Sequence, residues 1–523
     1  MKKWFIPAFF ALCTPAFAQN TAPLVTNLTA LTDTLNNTVT LNFDLVDGES
    51  DSLEVFLTVS DDMGASYMIQ PAGLSGNVGF PQFTGTGKQI VWNYTGFTNP
   101  LNQFRLKVVA NDRKHVPIQY MADQVDTLRL LHDMSLIEGV RSHTAGAAHL
   151  QNVSDTIYNR FSGLGLQTAL QSFTYSGISA GNIIGKSAGI THESEVYIID
   201  GHFDGVPAGP AADDNASAVI GVLEAARILS QYNFKKTLRF IAFDLEEAGL
   251  IGSAEYVNNG LLPREQVKGV LNFEMIGYYS ERNNSQTFPL GFGLLFPAAE
   301  TAVAADTFKG NFITNVANTA SSPLRQKFDQ CAAAYVPALR VISIEAPGNS
   351  EIAPDLRRSD HAVFWDKGYQ ALMLTDGANF RNHNYHTAND VSDSLNFEFI
   401  ANVVKATLAT AAELAEPISY GEATVDVTLP DVTSSLQAYG GKEFLMQLIP
   451  NPADDKLSVR WNTAAEPQTI RLSDASGRML YQSGLSTSAA QHHIQTGAFP
   501  AGMYILTLQG KGWEKSEKLL IQR

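Results

Sequence analysis

Polar groups that could bind a metal ion recur where predicted strands end or a predicted helix begins. Because the carboxyl ends of parallel strands meet at one edge of a sheet, where ligands bind in α/β proteins, we expect these groups to lie close together. They are Gly201-His202-Phe203-Asp204, Ala212-Asp213-Asp214-Asn215, Asp244-Leu245-Glu246-Glu247, Glu274 and His386. Together they supply two imidazoles and several carboxylates.

Imidazole and carboxylate ligands without a thiolate suit zinc and, less specifically, manganese or cobalt. Five ligand groups are too many for one open catalytic zinc ion, but they suit two ions that share a carboxylate. Such a pair activates a water molecule and polarises a carbonyl group. The adjacent acids Glu246 and Glu247 fit this chemistry, because one can bind metal while its neighbour takes the proton of the water.

Each group has an ordinary structural explanation when it is considered alone. A single histidine or a pair of glutamates is usually a solvated surface feature, and Asp213-Asp214 could cap a helix. The recurrence of such groups at equivalent positions of one domain favours a metal site.

The elements that carry these groups form an α/β pattern from residue 117 to 416. Apolar runs at 196–199, 238–243 and 270–273 predict buried strands. Apolar residues with helical spacing predict helices at 216–230 and 397–414. The alternation predicts a layered α/β domain with a mostly parallel central sheet.

Two β-rich regions flank this domain. Residues 22–113 alternate between apolar and polar side chains, which predicts an immunoglobulin- or fibronectin-like β-sandwich. Residues 417–441 contain Pro417, Pro430 and Gly440-Gly441, which predict a linker. Residues 442–523 are again typical of short strands.

Composition and the first residues predict an exported globular protein. The chain has 523 residues, is 45% hydrophobic and has a net charge of −16, and no basic patch in the sequence offers a nucleic-acid site. Lys2-Lys3, the apolar run 4–12 and Ala16-Phe17-Ala18 predict a cleaved signal peptide at 1–18. No later segment predicts a transmembrane helix. Cleavage would leave Cys331 as the single cysteine, so no internal disulfide is expected.

The α/β segments resemble the co-catalytic zinc exopeptidases, a family that includes bacterial leucyl aminopeptidases and glutamate carboxypeptidase II. The family pattern is H-x-D, A-D-D-N-A-S, E-E-x-G-x-x-G-S, an acid after a strand, and Y-H-T. This sequence matches it in the same order at Gly201–Asp204, Ala212–Ser217, Glu246–Ser253, Glu274 and Tyr385-His386-Thr387. The resemblance implies a three-layer zinc exopeptidase domain with a mixed, mostly parallel central sheet.

The resemblance also implies a metal-binding role for five residues. It assigns one zinc ion to His202 and Glu274, a second to Glu247 and His386, and the bridging position to Asp214. Many aminopeptidases of the family have Asp where this chain has Glu274, which is one methylene longer.

Four further residues acquire roles from the same resemblance. Glu246 would be the general base, and Tyr385 matches a tyrosine that in some relatives hydrogen-bonds the developing oxyanion. Asp204 would orient His202 from behind, as metal-bound imidazoles require. Asp360 belongs to an S-D-H segment that in the family lies behind the metal ligands.

The C-terminal region resembles the sorting domain of the type IX (Por) secretion system. The resemblance implies export across the outer membrane through that machinery, to the medium or the cell surface, often with removal of this domain. A carbohydrate-binding or adhesion sandwich is the alternative. The segments that carry the resemblance are Ile449-Pro450-Asn451-Pro452-Ala453, Asp474–Arg478, Pro500–Tyr504 and Lys518–Ile521.

The motifs are compatible with more than one enzymatic activity. We expect an aminopeptidase acting on peptides or proteins because no arginine cluster offers a site for a C-terminal carboxylate, although Arg357, Arg358 and Arg381 keep a carboxypeptidase open. A glutaminyl-cyclase-like enzyme and an inert surface adhesin are further alternatives. The specificity pocket is expected in loops such as 280–322 and 345–358.

Two other hydrolase motifs are not supported. Gly177-Ile178-Ser179-Ala180-Gly181 matches G-x-S-x-G, but the residues after Ser179 predict a strand where a nucleophile elbow requires a helix. His192-Glu193 begins an H-E-x-x-H pattern, but Val196 stands where the second histidine is required.

Overall fold

The computed structural model describes residues 20–34, 36–94, 103–429, 446–461, 467–474, 478–486, 491–510 and 513–522. Contacts divide the chain into two compact units, one of residues 1–93 and 103–428 and one of residues 94–102 and 429–523. The predicted signal peptide, 1–18, lies outside the described residues. Within the described ranges, no helix combines the length and the apolar character that a membrane crossing requires.

The first unit begins with a β-sandwich of two four-stranded sheets, ordered β1-β2-β6-β4 and β16-β7-β3-β5. Alternate side chains of the second strand, from Val39 to Leu45, are buried between the sheets, as the period of two predicts. The strands are β1 (Leu24–Asp33), β2 (Thr38–Val46), β3 (Leu53–Ser60), β4 (Leu74–Gly76), β5 (Gly79–Gln82), β6 (Gly85–Asn93), β7 (Gln103–Asn111) and β16 (Tyr420–Thr428).

The strand β16 corrects the predicted linker. Residues 420–428 pair antiparallel with β7 along its whole length, from Tyr420 opposite Asn111 to Thr428 opposite Gln103. Arg105 on β7 forms a two-bonded ion pair with Asp426, at 2.7 and 3.0 Å. The prediction of a linker from 417 is therefore wrong for this segment, because the chain returns to the sandwich after the α/β domain. Residues 430–441 of the predicted linker lie outside the described residues.

The central sheet of the first unit has eight strands in the order β14-β13-β15-β12-β10-β11-β9-β8. The pairs β10/β11, β10/β12, β12/β15 and β13/β14 are parallel, whereas β8/β9, β9/β11 and β13/β15 are antiparallel. The predicted mixed, mostly parallel sheet is confirmed. Its strands are β8 (Gln167–Tyr175), β9 (Ile178–Ser187), β10 (His192–His202), β11 (Lys236–Phe243), β12 (Gln266–Phe273), β13 (Ile313–Asn318), β14 (Val341–Ala346) and β15 (Ala371–Thr375).

Helices cover both faces of this sheet, which makes three layers. On β10, Tyr197 and Ile199 face the core formed with α1–α4, α8 and α10, whereas Val196 and Ile198 face the core formed with α6, α7 and α9. Both faces are buried, so the strand is a continuous apolar run. The helices are α1 (Ile118–Ala122), α2 (Thr127–Ile137), α3 (Ala147–Gly163), α4 (Ser217–Leu229), α5 (Ile251–Glu255), α6 (Phe292–Leu295), α7 (Pro297–Ala304), α8 (Ser322–Tyr335), α9 (His361–Asp366) and α10 (Phe397–Ala415).

The two rival motifs of this domain lie on strands. Ser179 is the second residue of β9, so no helix follows it and the nucleophile elbow is absent. His192 and Glu193 begin β10.

The second unit is all-β in its described part. It contains a three-stranded sheet, β17-β18-β21, and a four-stranded sheet, β20-β19-β22-β23. Its core includes Leu457, Ile470, Leu506 and Leu519. The strands are β17 (Met446–Ile449), β18 (Lys456–Trp461), β19 (Thr469–Asp474), β20 (Met479–Gly484), β21 (Gln491–Gln495), β22 (Gly502–Gly510) and β23 (Trp513–Ile521).

The pairing of β16 with β7 makes the sandwich depend on residues that follow the α/β domain. We expect a chain ended after Ile418 to melt about 5 °C or more below a chain ended after residue 441, because each kcal/mol lost lowers the melting temperature by about 2–4 °C in domains of 150–250 residues. Calorimetry of the two truncated chains measures the difference. Equal melting temperatures would show that β16 does not stabilise the sandwich.

Candidate metal centre

Two groups of three side chains meet where β10, β11 and β12 end. The first is His202, Glu246 and Glu274, and the second is Asp214, Glu247 and His386. In each group, one potential ligand atom of every residue lies within 4.8 Å of the others. The structure therefore brings together all five predicted metal ligands and the predicted general base.

Asp214 lies between the two groups. Its Oδ1 atom is 3.4 Å from Nε2 of His202, and its Oδ2 atom is 2.9 Å from Nε2 of His386. Nε2 of His202 is also 3.5 Å from Oε2 of Glu274, and Nε2 of His386 is 3.3 Å from Oε2 of Glu247. One oxygen of the Asp214 carboxylate thus faces His202, and the other faces His386. A carboxylate shared by two metal ions requires such an arrangement.

Several atoms at the centre of this arrangement are not used in hydrogen bonds. Among the described residues, Nε2 of His202, Nε2 of His386 and Oε1 of Glu247 are buried and have no hydrogen-bond partner. Buried polar atoms are normally hydrogen-bonded, so these atoms require a ligand. Imidazole nitrogens and carboxylate oxygens are ligands that zinc accepts, and the donor set fits this metal.

The charge of the site also favours a cation. Burial alone would lower the pKa of His202, but the carboxylates of Glu246, Asp204, Asp214 and Glu274 outweigh it and raise this pKa well above the usual value. Burial raises the pKa of Glu246 well above its usual value, and the Glu274 carboxylate adds to this effect. Buried carboxylates that repel each other are costly unless a cation compensates them.

Asp204 connects the first two strand-end loops. Its carbonyl oxygen is 3.1 Å from Nδ1 of His202, and its carboxylate is 3.5 Å from the same nitrogen. The carboxylate also accepts the backbone N–H groups of Glu246 at 3.1 Å and Glu247 at 3.2 Å. Asp204 therefore lies behind His202, as predicted, and it also fixes the loop that carries both glutamates.

The backbone of Asp214 is fixed by a carboxylate from a distant part of the chain. Asp214 lies in the turn Ala212–Ala216 before α4, and its φ and ψ of −105° and 85° are not helical. The carboxylate of Asp390 accepts the N–H groups of Asp213 at 3.0 Å and Asp214 at 3.1 Å. Asp390 thus holds the residue that lies between the two groups.

Glu274 is fixed from two sides. Nδ2 of Asn215 donates to the carbonyl of Phe273 at 3.0 Å, and Oδ1 of Asn215 accepts the N–H of Met275 at 3.0 Å. Oγ of Ser359 donates to Oε2 of Glu274 at 2.7 Å. The neutral donors Asn215 and Ser359 orient Glu274 without adding charge.

Asp360 follows Ser359 and is fully buried. Burial raises the pKa of its carboxyl group to about 7, although His202 opposes this shift. The charge of His202 acts on the Asp360 carboxyl group. The hydrogen bond to a predicted metal ligand, Glu274, comes from the neighbouring Ser359.

Arg141 and Asp390 are two buried residues of the site that the sequence analysis missed. Nε of Arg141 donates to the carbonyl of Phe203 at 2.8 Å, and Nη2 donates to the carbonyl of Ala211 at 2.7 Å. Burial lowers the pKa of this guanidinium to about 10, so it stays charged at neutral pH. Asp390 follows His386 in the same polar loop, and this proximity could have indicated that it belongs to the site. Arg141 lies far from every motif in the sequence, so no comparable pattern points to it.

Four residues of these loops have a strained backbone conformation. The φ angles of Ala211 (54°), Leu245 (56°), Met275 (54°) and His386 (58°) are positive, which non-glycine residues rarely adopt. Each of these residues is a predicted ligand or lies close to one in sequence. Such conformations cost about 1–3 kcal/mol each and persist where the surrounding structure enforces them, commonly at functional sites.

An apolar cavity opens beside the first group. Its volume is about 190 Å³, and it is lined by Glu274 and Tyr385 together with Phe288, Phe296 and Met373. The ring of Tyr385 stacks on the ring of His386 with centroids 3.7 Å apart and an interplanar angle of 17°. The cavity therefore offers an apolar space directly next to the candidate metal centre.

Comparison with known proteins assigns the two principal regions of the chain. Residues 182–411 match "Peptidase family M28", and residues 447–522 match "Secretion system C-terminal sorting domain". The α/β domain belongs to peptidase family M28, and the C-terminal region is a sorting domain that directs export by type IX secretion, to the medium or the cell surface.

Three curated relatives share parts of this sequence. The chain is 33% identical to the uncharacterized protein YfbL of Escherichia coli over 225 residues, which are 40% of this chain and 65% of YfbL. It is 27% identical to a probable zinc metalloprotease of Pyrenophora tritici-repentis over 280 residues, which are 50% of this chain and 57% of that protein. It is 41% identical to aminopeptidase YwaD of Bacillus subtilis over 112 residues, which are 21% of this chain and 24% of YwaD. The chain thus spans about two thirds or less of each relative.

The contact of Asp390 with the Asp214 backbone predicts an effect on metal affinity. Asp390→Ala should weaken zinc binding about 10–100-fold, the usual cost of removing a group that orients a ligand. Competition with a chromophoric chelator measures the affinity, and Asp393→Ala, in an exposed turn of the neighbouring loop, is the control. Unchanged affinity in Asp390→Ala would show that Asp214 needs no such support.

Proposed function

We propose that this protein is an exported aminopeptidase that removes N-terminal residues from peptides with the help of two zinc ions. The observation that carries the proposal is the position of Asp214, whose two oxygens face His202 and His386 separately. His202 and Glu274 would hold one zinc ion, and Glu247 and His386 the other. The names of the relatives, a probable zinc metalloprotease and an aminopeptidase, support this proposal.

Glu246 is the proposed general base. Bound zinc would supply Lewis acidity for the substrate carbonyl and acidity for the attacking water. Glu246 takes the proton released as the water oxygen bonds to the carbonyl carbon, and it gives this proton to the amine nitrogen as the C–N bond breaks. Its Oε2 is 3.8 Å from Nε2 of His202, farther than that of Glu274 at 3.5 Å.

The arginines favour an aminopeptidase over a carboxypeptidase. Arg357 is bonded to Asp366 at 2.7 Å, and Arg381 is buried with its Nε bonded to Gln286 at 2.7 Å. Of the three arginines considered, Arg358 alone lines the apolar cavity. The carboxylate-rich centre suits the positive α-amino group of a substrate better than a C-terminal carboxylate.

Substrates with different free ends separate the remaining alternatives. We expect hydrolysis of Phe- and Leu-p-nitroanilide, weaker hydrolysis of the Ala and Glu analogues because the cavity is apolar, and no cleavage of N-blocked dipeptides with a free C-terminus. Cyclisation of N-terminal glutamine would identify a glutaminyl cyclase instead. A zinc-loaded protein inactive on every substrate would favour the adhesin.

Export is proposed to use two signals. A signal peptide at 1–18 would direct the chain across the inner membrane and be removed, and the sorting domain would direct passage through the outer membrane. The charge and apolar pattern of the first residues support the first step.

The roles of the adjacent glutamates predict opposite effects of two matched substitutions. Glu246→Gln should lower kcat about 10²–10⁴-fold with little change in KM or zinc content, because it removes the proton acceptor but no ligand. Glu247→Gln should lower zinc content, because it weakens a ligand. Steady-state kinetics and elemental analysis of both variants test this. If Glu246→Gln lost zinc while Glu247→Gln retained it, the roles would be reversed.

A further inference from the structure

Arg358 reaches the candidate oxyanion donor Tyr385. Its Nη2 atom is 2.8 Å from the phenol oxygen of Tyr385, and its guanidinium carbon is 5.4 Å from the centre of that ring. Nη1 of Arg358 donates to Oδ1 of Asn379 at 2.9 Å, which fixes the guanidinium plane. Both Arg358 and Tyr385 line the apolar cavity beside Glu274.

The direction of this hydrogen bond is decided by chemistry. A guanidinium group has N–H donors and no acceptor, so the phenol oxygen must accept. The proton of the phenol is then free for another acceptor, and among the described residues the Tyr385 hydroxyl donates to no side chain or backbone group. Since the ring of Tyr385 is held against His386 by stacking, the hydroxyl can rotate but the ring position is fixed.

We propose that Arg358 is a positioning residue that turns the Tyr385 hydroxyl proton towards the carbonyl oxygen of the bound substrate. The inference rests on the proposed peptidase function and extends it to a residue outside the predicted site. Because Arg358 donates to one lone pair of the phenol oxygen, the orientation in which the hydroxyl proton points at the guanidinium is excluded. Its positive charge also polarises the O–H bond, which strengthens the donor as negative charge develops on the substrate.

Substitution of Arg358 should leave the fold intact. Its side chain is 40% exposed, and its partners Asp355 and Asn379 are accessible to water after its removal. Arg357 is a matched control, because it is adjacent in sequence but bonds Asp366 and the carbonyl of Asn349 instead. Arg357→Met should therefore hydrolyse substrate as the unaltered enzyme does.

A double-mutant cycle on Phe-p-nitroanilide tests the proposal. Tyr385→Phe should lower kcat about 10²-fold, in the range for loss of one oxyanion donor. Arg358→Met should lower kcat about 10-fold with little change in KM, and Arg358→Lys should recover part of that loss because ammonium also donates to the phenol. In the Tyr385→Phe background, Arg358→Met should cost nothing further, because the group on which it acts is gone.

Ligand binding provides a second readout. Calorimetric affinity for the phosphonate analogue of phenylalanine, whose charged oxygens resemble the developing oxyanion, should fall equally in Tyr385→Phe and in the double variant, and less in Arg358→Met. Affinity for phenylalanine amide should not change. Independent, multiplicative losses in the cycle would overturn the proposal. So would a loss confined to dipeptides with a free C-terminus, because Arg358 would then bind the substrate carboxylate. Absence of aminopeptidase activity in the unaltered enzyme would instead contradict the proposed function.

Discussion

Burial of several carboxylates around two imidazoles is the constraint on which the rest of the site depends. Asp214, Glu274 and His202 are nearly inaccessible to water, and repulsion between acids is expensive in such surroundings. The protein keeps these side chains in place with backbone N–H groups, neutral side chains and one buried guanidinium, Arg141. Metal cations would supply the missing positive charge, and metal binding would then be linked to the stability of these loops.

The supporting contacts come from widely separated parts of the chain. Asp204 accepts a backbone N–H group of the loop after β11, and Asp390 accepts one of the turn before α4. Asn215 hydrogen-bonds the backbone next to Glu274, after β12. The parallel strands bring these loops to one edge of the sheet, and the hydrogen bonds set their positions relative to one another. A small displacement of any loop would therefore change the spacing between the two groups of ligands.

The convergence of these side chains could be predicted from the sequence because the signals are local. Each ligand follows an apolar strand or begins a helix, and strand-end positions converge in an α/β sheet. Arg141 could not be found in this way, because it acts on backbone carbonyls that only the fold brings near it. The error at 420–428 has a different cause: flanking prolines and glycines indicated a linker, although Thr424-Val425-Asp426-Val427 alternates as an edge strand does.

Anomalous diffraction at the zinc absorption edge tests the central claim most directly. Crystals grown with zinc should give two peaks about 3.5–4 Å apart, the usual separation in two-metal sites. One peak should lie against His202 and Glu274 and the other against Glu247 and His386, with one oxygen of Asp214 on each. A single peak, or both oxygens of Asp214 on the same ion, would contradict the account.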